Sequence, residues 1–581
     1  MRSEDGDTVV VFNGEVYNNT ELREELRGLG HNFRSRCDTE TVLRAFLEWD
    51  TNCFARLRGM FAVAIWSESQ RRLVLARDRM GIKPLYFSRR GPNLYFGSEL
   101  KALFVHPEIE RQIDPAALHY FTSLNYVPGP MTMVEGIEKL PPGHWLDWQA
   151  GRVLTESYWR LRLDPDHRLT AEDASEELDR LLRASVREHL ISDVPIGVWA
   201  SGGLDSSTVL HYAAEASSKP LQTFSITFRG REFDESGYAS RIASHYGTEH
   251  HELDLNPTLD LPGAIEDMVY HSDEPGADAG ALPVWFLSRM SREHVTVALS
   301  GEGADELLGG YCTYLADRYY RGLMKVPAAA RRLALSLANR LPVSDAKIGF
   351  EYKLRRMLSG SFLSPADAHL FWNGTFSEAE KKRLHVSNGH PPVSDLLNHL
   401  PSDARSCGYL NRYLWLDQSY YLPDDILYKC DRMSMAHSLE VRPPFLDHRI
   451  VEFAARLPER LKVRGSELKY LLRRTMRDKL PAEVLSRKKE GFDIPAHDWF
   501  RGPLRPLLLD TLTRQSVEQS GLFHWPEVQN LMRRHHERRA NLGYHLWGLL
   551  TLFLWMKRWG IQTARVPERD QESLTSAVVT S

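Results

Sequence analysis

The sequence predicts a mixed α/β protein: a layered α+β domain, then an α/β domain on a parallel sheet, then a mostly helical part. Three observations carry this. Residues 8–97 alternate apolar strands and hairpins with two amphipathic helices. Residues 194–208 and 297–311 each read as a buried strand, a glycine turn and a helix start. Beyond about residue 311 helical patterning takes over. A length of 581 residues fits two to four domains at about 100–200 residues each. Hydrophobic content of 42% and charged content of 26% fit a soluble chain with large cores. The net charge of −4 gives no case for nucleic acid as a partner. Cys37, Cys53, Cys312, Cys407 and Cys430 show no Cys-x-x-Cys spacing, which argues against zinc and a disulfide framework and for a reducing cytoplasm. The polar, acidic start Met-Arg-Ser-Glu-Asp-Gly-Asp is not a signal peptide. The longest apolar run, Leu546 to Met556, is 11 residues; it is too short to span a membrane and reads as a buried helix.

Taken in order, Thr8–Asn13 is a buried strand, and Asn18–Leu29 is a helix with Leu22, Leu26 and Leu29 at helical spacing, stopped by Gly30. Asp38–Trp49 is a second helix, with Asp38 or Thr39 as N-cap. Residues 59–97 read as four strands. Residues 114–160 are rich in Pro, Gly and Trp and read as an irregular connection. The expected division is 1–160 for the first domain, 161–170 for a linker, 171–565 for the second domain and 566–581 for a disordered tail. The second domain opens with a helix over 171–191. Strands at 221–228 and 295–299, a segment at 249–253 and a helix at 236–246 follow, and their alternation implies a parallel sheet.

The chemistry is expected in two loops. In Ser201-Gly-Gly-Leu-Asp205-Ser206-Ser207, backbone N–H groups and a helix N-terminus face one point, which suits a phosphate. Gly202 and Gly203 let the phosphate approach, and Asp205 offers a carboxylate to magnesium. The Gly-Lys-Ser/Thr ending of a Walker loop is absent. Ser300-Gly301-Glu302-Gly303-Ala304-Asp305-Glu306 repeats the strand–turn–helix plan, and in a parallel sheet both loops lie at the carboxyl edge. Asp305 is placed to share magnesium with Asp205, and Glu302 to take a proton from an attacking amine; an acidic first helical turn is the plainer alternative. Lys429 and Arg432 read equally as phosphate partners and as ion-pair partners of nearby acids. Met433 and Met435 read as core, and Lys469 and the run Arg533–Arg539 as solvated helix faces.

As a set, further motifs are more specific: Phe12-Asn-Gly-Glu-Val-Tyr-Asn18, Asp38-Thr-Glu40, Arg58-Gly-Met-Phe-Ala62, Ala76-Arg-Asp-Arg-Met-Gly-Ile-Lys-Pro-Leu-Tyr86, Ser98-Glu-Leu-Lys-Ala102, the two loops above, and Met433-Ser-Met-Ala-His-Ser-Leu-Glu-Val-Arg-Pro-Pro-Phe-Leu-Asp447. The chain resembles the glutamine-dependent asparagine synthetases of the bacterial B type over about residues 8–560. The resemblance implies an N-terminal-nucleophile glutaminase domain followed by an ATP-pyrophosphatase domain, with an ammonia tunnel between them. It implies aspartate, ATP and glutamine or ammonia as substrates, Mg²⁺ as cofactor and β-aspartyl-AMP as intermediate, and leaves a homodimer open. By the same resemblance Asn13 and Gly14 form the oxyanion hole, and Glu15 and Asp38 hold the glutamine α-amino group. Ala200, Ser201, Gly202, Gly203, Asp205, Ser206, Ile226, Ser300 and Gly301 bind ATP, Asp205 and Asp305 bind magnesium, and Glu302 and Lys469 are catalytic.

One departure stands out. The family's nucleophile is a Cys directly after the initiator Met, and here that position is Arg2. The family pattern begins at about Thr8, so roughly 50–60 family residues are expected to precede it. Neither Cys37 nor Cys53 replaces the nucleophile, and Cys37 reads as structural beside the glutamine pocket. Two explanations stay open: a start that truly lies upstream, favoured by the intact apolar patterning of Val9–Phe12, or a chain driven by free ammonia. The rival functions are adenylation of another carboxylate and a catalytically dead regulator.

Overall fold

The computed structural model describes residues 1–231, 234–256, 260–344, 349–487, 491 and 494–563. The expected tail at 566–581 lies outside the described residues. The chain opens with β1 (Thr8–Val16), α1 (Asn19–Gly28) and α2 (Asp38–Trp49). Then come β2 (Gly59–Ser67), β3 (Arg72–Arg77), β4 (Tyr86–Arg90) and β5 (Asn93–Gly97). Leu26, Val42, Phe54, Phe61 and Ile65 fill the layer between α1, α2 and the sheet. The N-cap position of α2 is Cys37, not Asp38 or Thr39, and it makes no side-chain cap. The Asp38 carboxylate instead accepts the Val16 N–H at 3.0 Å, which ties α2 to the end of β1.

The segment 114–160 is not irregular. It contains α3 (Pro115–Leu124), β6 (Glu138–Lys139), β7 (His144–Gln149) and β8 (Arg152–Ser157). Asp114 caps α3 by accepting from Ala116 N at 2.7 Å, and Pro115 suits the first turn because it needs no N–H there. β7 and β8 join the first sheet in the order β1-β2-β3-β7-β8, while β6 pairs with β4. Their hairpin turns at Ala150 and Gly151, both at positive φ, a primed turn without the usual Asn-Gly signal. The prolines and glycines of this segment mark element ends.

The second half opens with α4 (Ala171–His189), β9 (Ile196–Trp199), α5 (Leu204–Ala216), β10 (Gln222–Thr227), α6 (Ser236–Tyr246) and β11 (Glu249–Asp254). β12 (Val297–Leu299) and the late β13 (Glu440–Arg442) complete a sheet ordered β11-β10-β9-β12-β13, every pair parallel. Because β9 and β12 are neighbours, the loops that follow them leave the same edge side by side. The rest is mainly helical, ending in the buried helix Gly543–Trp559. Among the described residues no helix is long and apolar enough to cross a membrane.

The two halves share cores. One cluster joins Leu100, Phe121 and Ile137 to Phe286, Trp499 and Trp547. Another joins Met60, Met80 and Ile82 to Leu182, Leu204 and Phe445. Buried ion pairs cross the same boundary: Lys83 with Asp431 at 2.9 Å, and Lys139 with Glu274 at 2.9 Å and Asp424 at 3.2 Å. Leu163, in the expected linker, is buried against Leu400, Ala404 and Ala455.

Removing one partner of such a pair strands a buried charge. Lys83→Ala is expected to cost about 3–5 kcal/mol in urea unfolding, and Lys83→Met with Asp431→Leu to recover most of it. Equal stability of Lys83→Ala and the parent would contradict this role.

Candidate active site

Two sites are built from the predicted residues. In the first half, Asn13, Gly14 and Glu15 lie within β1, opposite Ala62, Phe61 and Met60 of β2. Gly14 has φ 150°, and a methyl there would overlap Met60 O and lie 2.7 Å from Phe61 Cα, so this strand position is held for glycine. Asn13 Nδ2 donates to Ser98 Oγ at 3.4 Å. The Glu15 carboxylate meets Arg442 at 3.0 Å, an arginine of the second half. Burial raises the Glu15 carboxyl to about 7, with Asp38 adding to the rise and Arg442 opposing it. Burial likewise raises Asp38. The Cys37 thiol is exposed and lies 3.6 Å from Asp38 Oδ1.

In the second half the two loops touch. A methyl on Gly301 would lie 2.9 Å from Ser206 N and 3.0 Å from Asp205 Cβ, so only glycine allows this approach. Gly202, at φ 71°, backs onto Tyr238. Ser201 Oγ accepts the Gly203 N–H at 3.3 Å and meets Ser206 Oγ at 3.2 Å. Among the described residues a methyl on Gly203 would meet only Ser201 Oγ, at 3.3 Å. Ala200 is fully buried and donates to Phe224 O at 2.9 Å, and Ile226 is buried two residues further along β10. Ser300 is 2% exposed, and its hydroxyl has no hydrogen-bond partner among the described residues. A buried, unsatisfied hydroxyl in a loop suits a polar ligand.

Asp205 and Asp305 converge on one cation, Lys469. Its ammonium lies 2.7 and 2.6 Å from the Asp205 oxygens and 2.5 Å from Asp305. Lys469 is 4% exposed, so the solvated-face expectation is overturned. It sits at the N-cap of a short helix with φ 52°, and Gly310 clears the space: a methyl there would overlap Asp305 Oδ1 and Lys469 Cε. A left-handed lysine costs some backbone energy, and the paired carboxylates hold it in place.

The sequence reading gives Glu306 and Arg487 no role of their own, whereas it expects Glu302 to be catalytic and Lys429 and Arg432 to partner phosphates or nearby acids. Glu306 is fully buried and accepts from the Tyr311 hydroxyl; burial, with Asp305 beside it, raises its carboxyl to about 8. Glu302 is half-buried, and its charge acts on Glu306 and Lys429. Lys429 pairs with Asp278, and Arg432 with Asp273 at 2.5 Å, so both are ion-pair partners. Burial alone would lower Lys429, yet Asp278 and Asp425 hold it above its ordinary value. Arg487 donates to Ser201 O at 3.1 Å and pairs with Glu235. Glu306 stands inside a quoted motif and Tyr311 at the end of the 297–311 unit; Arg487 carries no local signal. Met433 is core, whereas Met435 is exposed. His535, within the supposed solvated run, is buried against His497 O at 3.0 Å. Among the described residues no group of three or more His, Cys, Asp or Glu gathers as a metal site.

Two outcomes follow. Gly310→Ala is expected to cut ATP-dependent turnover at least about tenfold with unchanged circular dichroism, since it displaces the ion trio; full activity would contradict that geometry. Glu15 binds its proton more tightly folded than unfolded, so it stabilises below about pH 4.5 and that contribution is lost as pH rises towards about 7. Urea midpoints at pH 5 and pH 8 are expected to differ less in Glu15→Gln than in the parent; the same pH slope in both would contradict the buried, proton-retaining carboxyl.

A family described as "Asparagine synthase" matches residues 177–559, and one described as "Glutamine amidotransferase domain" matches residues 1–159. The chain is 32% identical over 550 residues to asparagine synthetase (glutamine-hydrolyzing) 1 of Bacillus subtilis, covering 94% of this chain and 85% of that protein. It is 33% identical over 560 residues to a putative asparagine synthetase (glutamine-hydrolyzing) of Mycobacterium bovis, covering 94% and 84%. It is 27% identical over 579 residues to amidase chry2 of Gibberella zeae, covering 92% and 84%. The matched families and the two touching loops agree: the chain belongs to the asparagine synthase family, with a glutamine amidotransferase domain ahead of the synthase region.

Proposed function

We propose that this chain makes asparagine from aspartate, ATP and an ammonia donor through β-aspartyl-AMP. The single observation that carries the reading is the meeting of two strand–loop–helix units on the Lys469 ammonium. Such loops suit the phosphates of a nucleotide, and paired carboxylates with a lysine suit charge that builds on a leaving pyrophosphate. The names of the relatives support aspartate as the acceptor.

In this reading a β-carboxylate oxygen of aspartate attacks the α-phosphorus of ATP. The bond from that phosphorus to the β-phosphate oxygen breaks, and pyrophosphate leaves. Ammonia then attacks the acyl carbon, and AMP leaves with the former carboxylate oxygen. Glu302 takes the proton released from nitrogen. Lys469 offsets negative charge around the α-phosphate. Ala200, Ser201, Gly202, Gly203, Ser206, Ile226, Ser300 and Gly301 cradle the nucleotide. Asp205 and Asp305 offer hard oxygens beside the phosphate loop, which fits a magnesium ion held by two carboxylates and by nucleotide phosphates. Bound there, magnesium would neutralise charge on the pyrophosphate.

In the first half, Asn13 and Gly14 would donate to the tetrahedral oxygen of glutamine hydrolysis, and Glu15 and Asp38 would hold the α-ammonium. A small cavity lined by Arg77, Tyr86, Lys139, Asp424 and Tyr428 lies between the halves, and the reading includes internal passage of ammonia. We divide the chain into 1–160, a link at 161–170, and a synthase region from 171. The free cysteines favour a reducing cytoplasm.

The test is product analysis with aspartate, ATP and Mg²⁺, with glutamine and ammonium in separate arms. AMP, pyrophosphate and asparagine are expected in equal amounts, and only with aspartate present. Formation of ADP and phosphate, or AMP without aspartate, would contradict the proposal.

A further inference from the structure

We infer that Arg442 is a positioning residue that sets the ATP loop at Ser300, and that Glu15 of the first half holds Arg442 in place. The inference rests on the reading of residues 300–306 as an ATP loop. It makes the amidotransferase half a contributor to nucleotide binding.

Arg442 ends β13 and is 3% exposed. Its backbone carbonyl accepts the Ser300 N–H at 3.0 Å, one residue past the Leu299–Arg442 register pair. The start of the loop is therefore fixed by the peptide of Arg442. The guanidinium in turn holds three segments. Nε donates to Glu440 at 2.6 Å within β13. One terminal nitrogen donates to His189 O at 3.0 Å and Ile191 O at 2.7 Å, where α4 ends and the chain turns towards β9. The other donates to Glu15 at 3.0 Å, from β1 of the first half. The group also lies 5.7 Å from the centre of the Tyr17 ring. A single planar cation thus ties β1 to β13 and to the end of α4, from which the chain runs on towards β9. Arginine suits this because its five donors form a rigid fork; lysine could satisfy only some of these directions.

At pH 8, above its raised value of about 7, Glu15 supplies a carboxylate charge among partners that are otherwise partly carbonyls. With that charge removed, the guanidinium has Glu440 as its remaining ion-pair partner and is free to swing towards it, carrying the Arg442 peptide and the Ser300 N–H with it. Among the described residues the Glu15 side chain makes its ion pair with Arg442 and none with the two loops, so its effect on ATP is expected to travel through Arg442.

The test is MgATP binding by titration calorimetry at pH 8, on the full chain, for the parent, Glu15→Gln, Arg442→Lys and the double variant. Each single variant is expected to weaken MgATP by about fivefold, the low end of site-to-site coupling. The double variant is expected to be no weaker than Arg442→Lys alone, because both changes cut one path. In ammonium-driven turnover, which uses no glutamine, the loss in Glu15→Gln falls more on KM for ATP than on kcat. If Arg442→Lys does not fold, Glu15→Gln alone decides. Unchanged MgATP affinity in Glu15→Gln, or additive losses in the double variant, overturns the inference. A parent chain that binds no MgATP defeats the ATP-loop reading itself, a separate failure.

Discussion

The Lys469 ammonium between Asp205 and Asp305 is the interaction on which the candidate site depends. Each of the three comes from a different part of the chain, and none could sit where it does alone. Two carboxylates at this depth would repel each other, and the charge of a lysine 4% exposed would be buried without a partner if they were absent. Together they form a compact polar knot. The surrounding glycines follow from it: Gly301 lets the loops meet, and Gly310 leaves room for the lysine stem. An ion trio of this kind is weak evidence for stability, because its desolvation offsets much of its attraction. Its cost is more readily explained by a charged ligand that it serves.

The parallel sheet makes this meeting possible. β9 and β12 are adjacent and in register, so their following loops emerge together. β13 arrives from far along the chain and pairs on the outer side of β12. That late strand carries Arg442 to the boundary with the first half. Shared apolar clusters and the buried pairs of Lys83 and Lys139 seal that boundary. The first half is thus packed as part of one structure, and its candidate pocket at Glu15 ends against an arginine of the second.

Much of this was legible in the sequence, for physical reasons. Strand–glycine–helix units have short-range signals, and the helices α2 and α6 match their expected spans residue for residue. What failed depended on long-range contacts. Lys469 reads as solvated because nothing near it in sequence is acidic except Glu467; its partners lie 264 residues away at Asp205 and far upstream at Asp305. The segment 114–160 reads as irregular because its prolines and glycines mark ends of elements whose strands pair with β3 and β4. Asp38 reads as a cap, yet its carboxylate is drawn to Val16 instead. Met435 has the composition of core and the position of surface, and no local pattern separates the two.

The central claim is that aspartate is activated by adenylation at the Asp205–Lys469–Asp305 site. The most direct measurement is the fate of oxygen. With aspartate labelled by ¹⁸O in its β-carboxylate, and ATP, Mg²⁺ and an ammonia donor supplied, mass spectrometry of the products decides. The account predicts one ¹⁸O in AMP and none in pyrophosphate. Label in inorganic phosphate, or AMP without label, would contradict it.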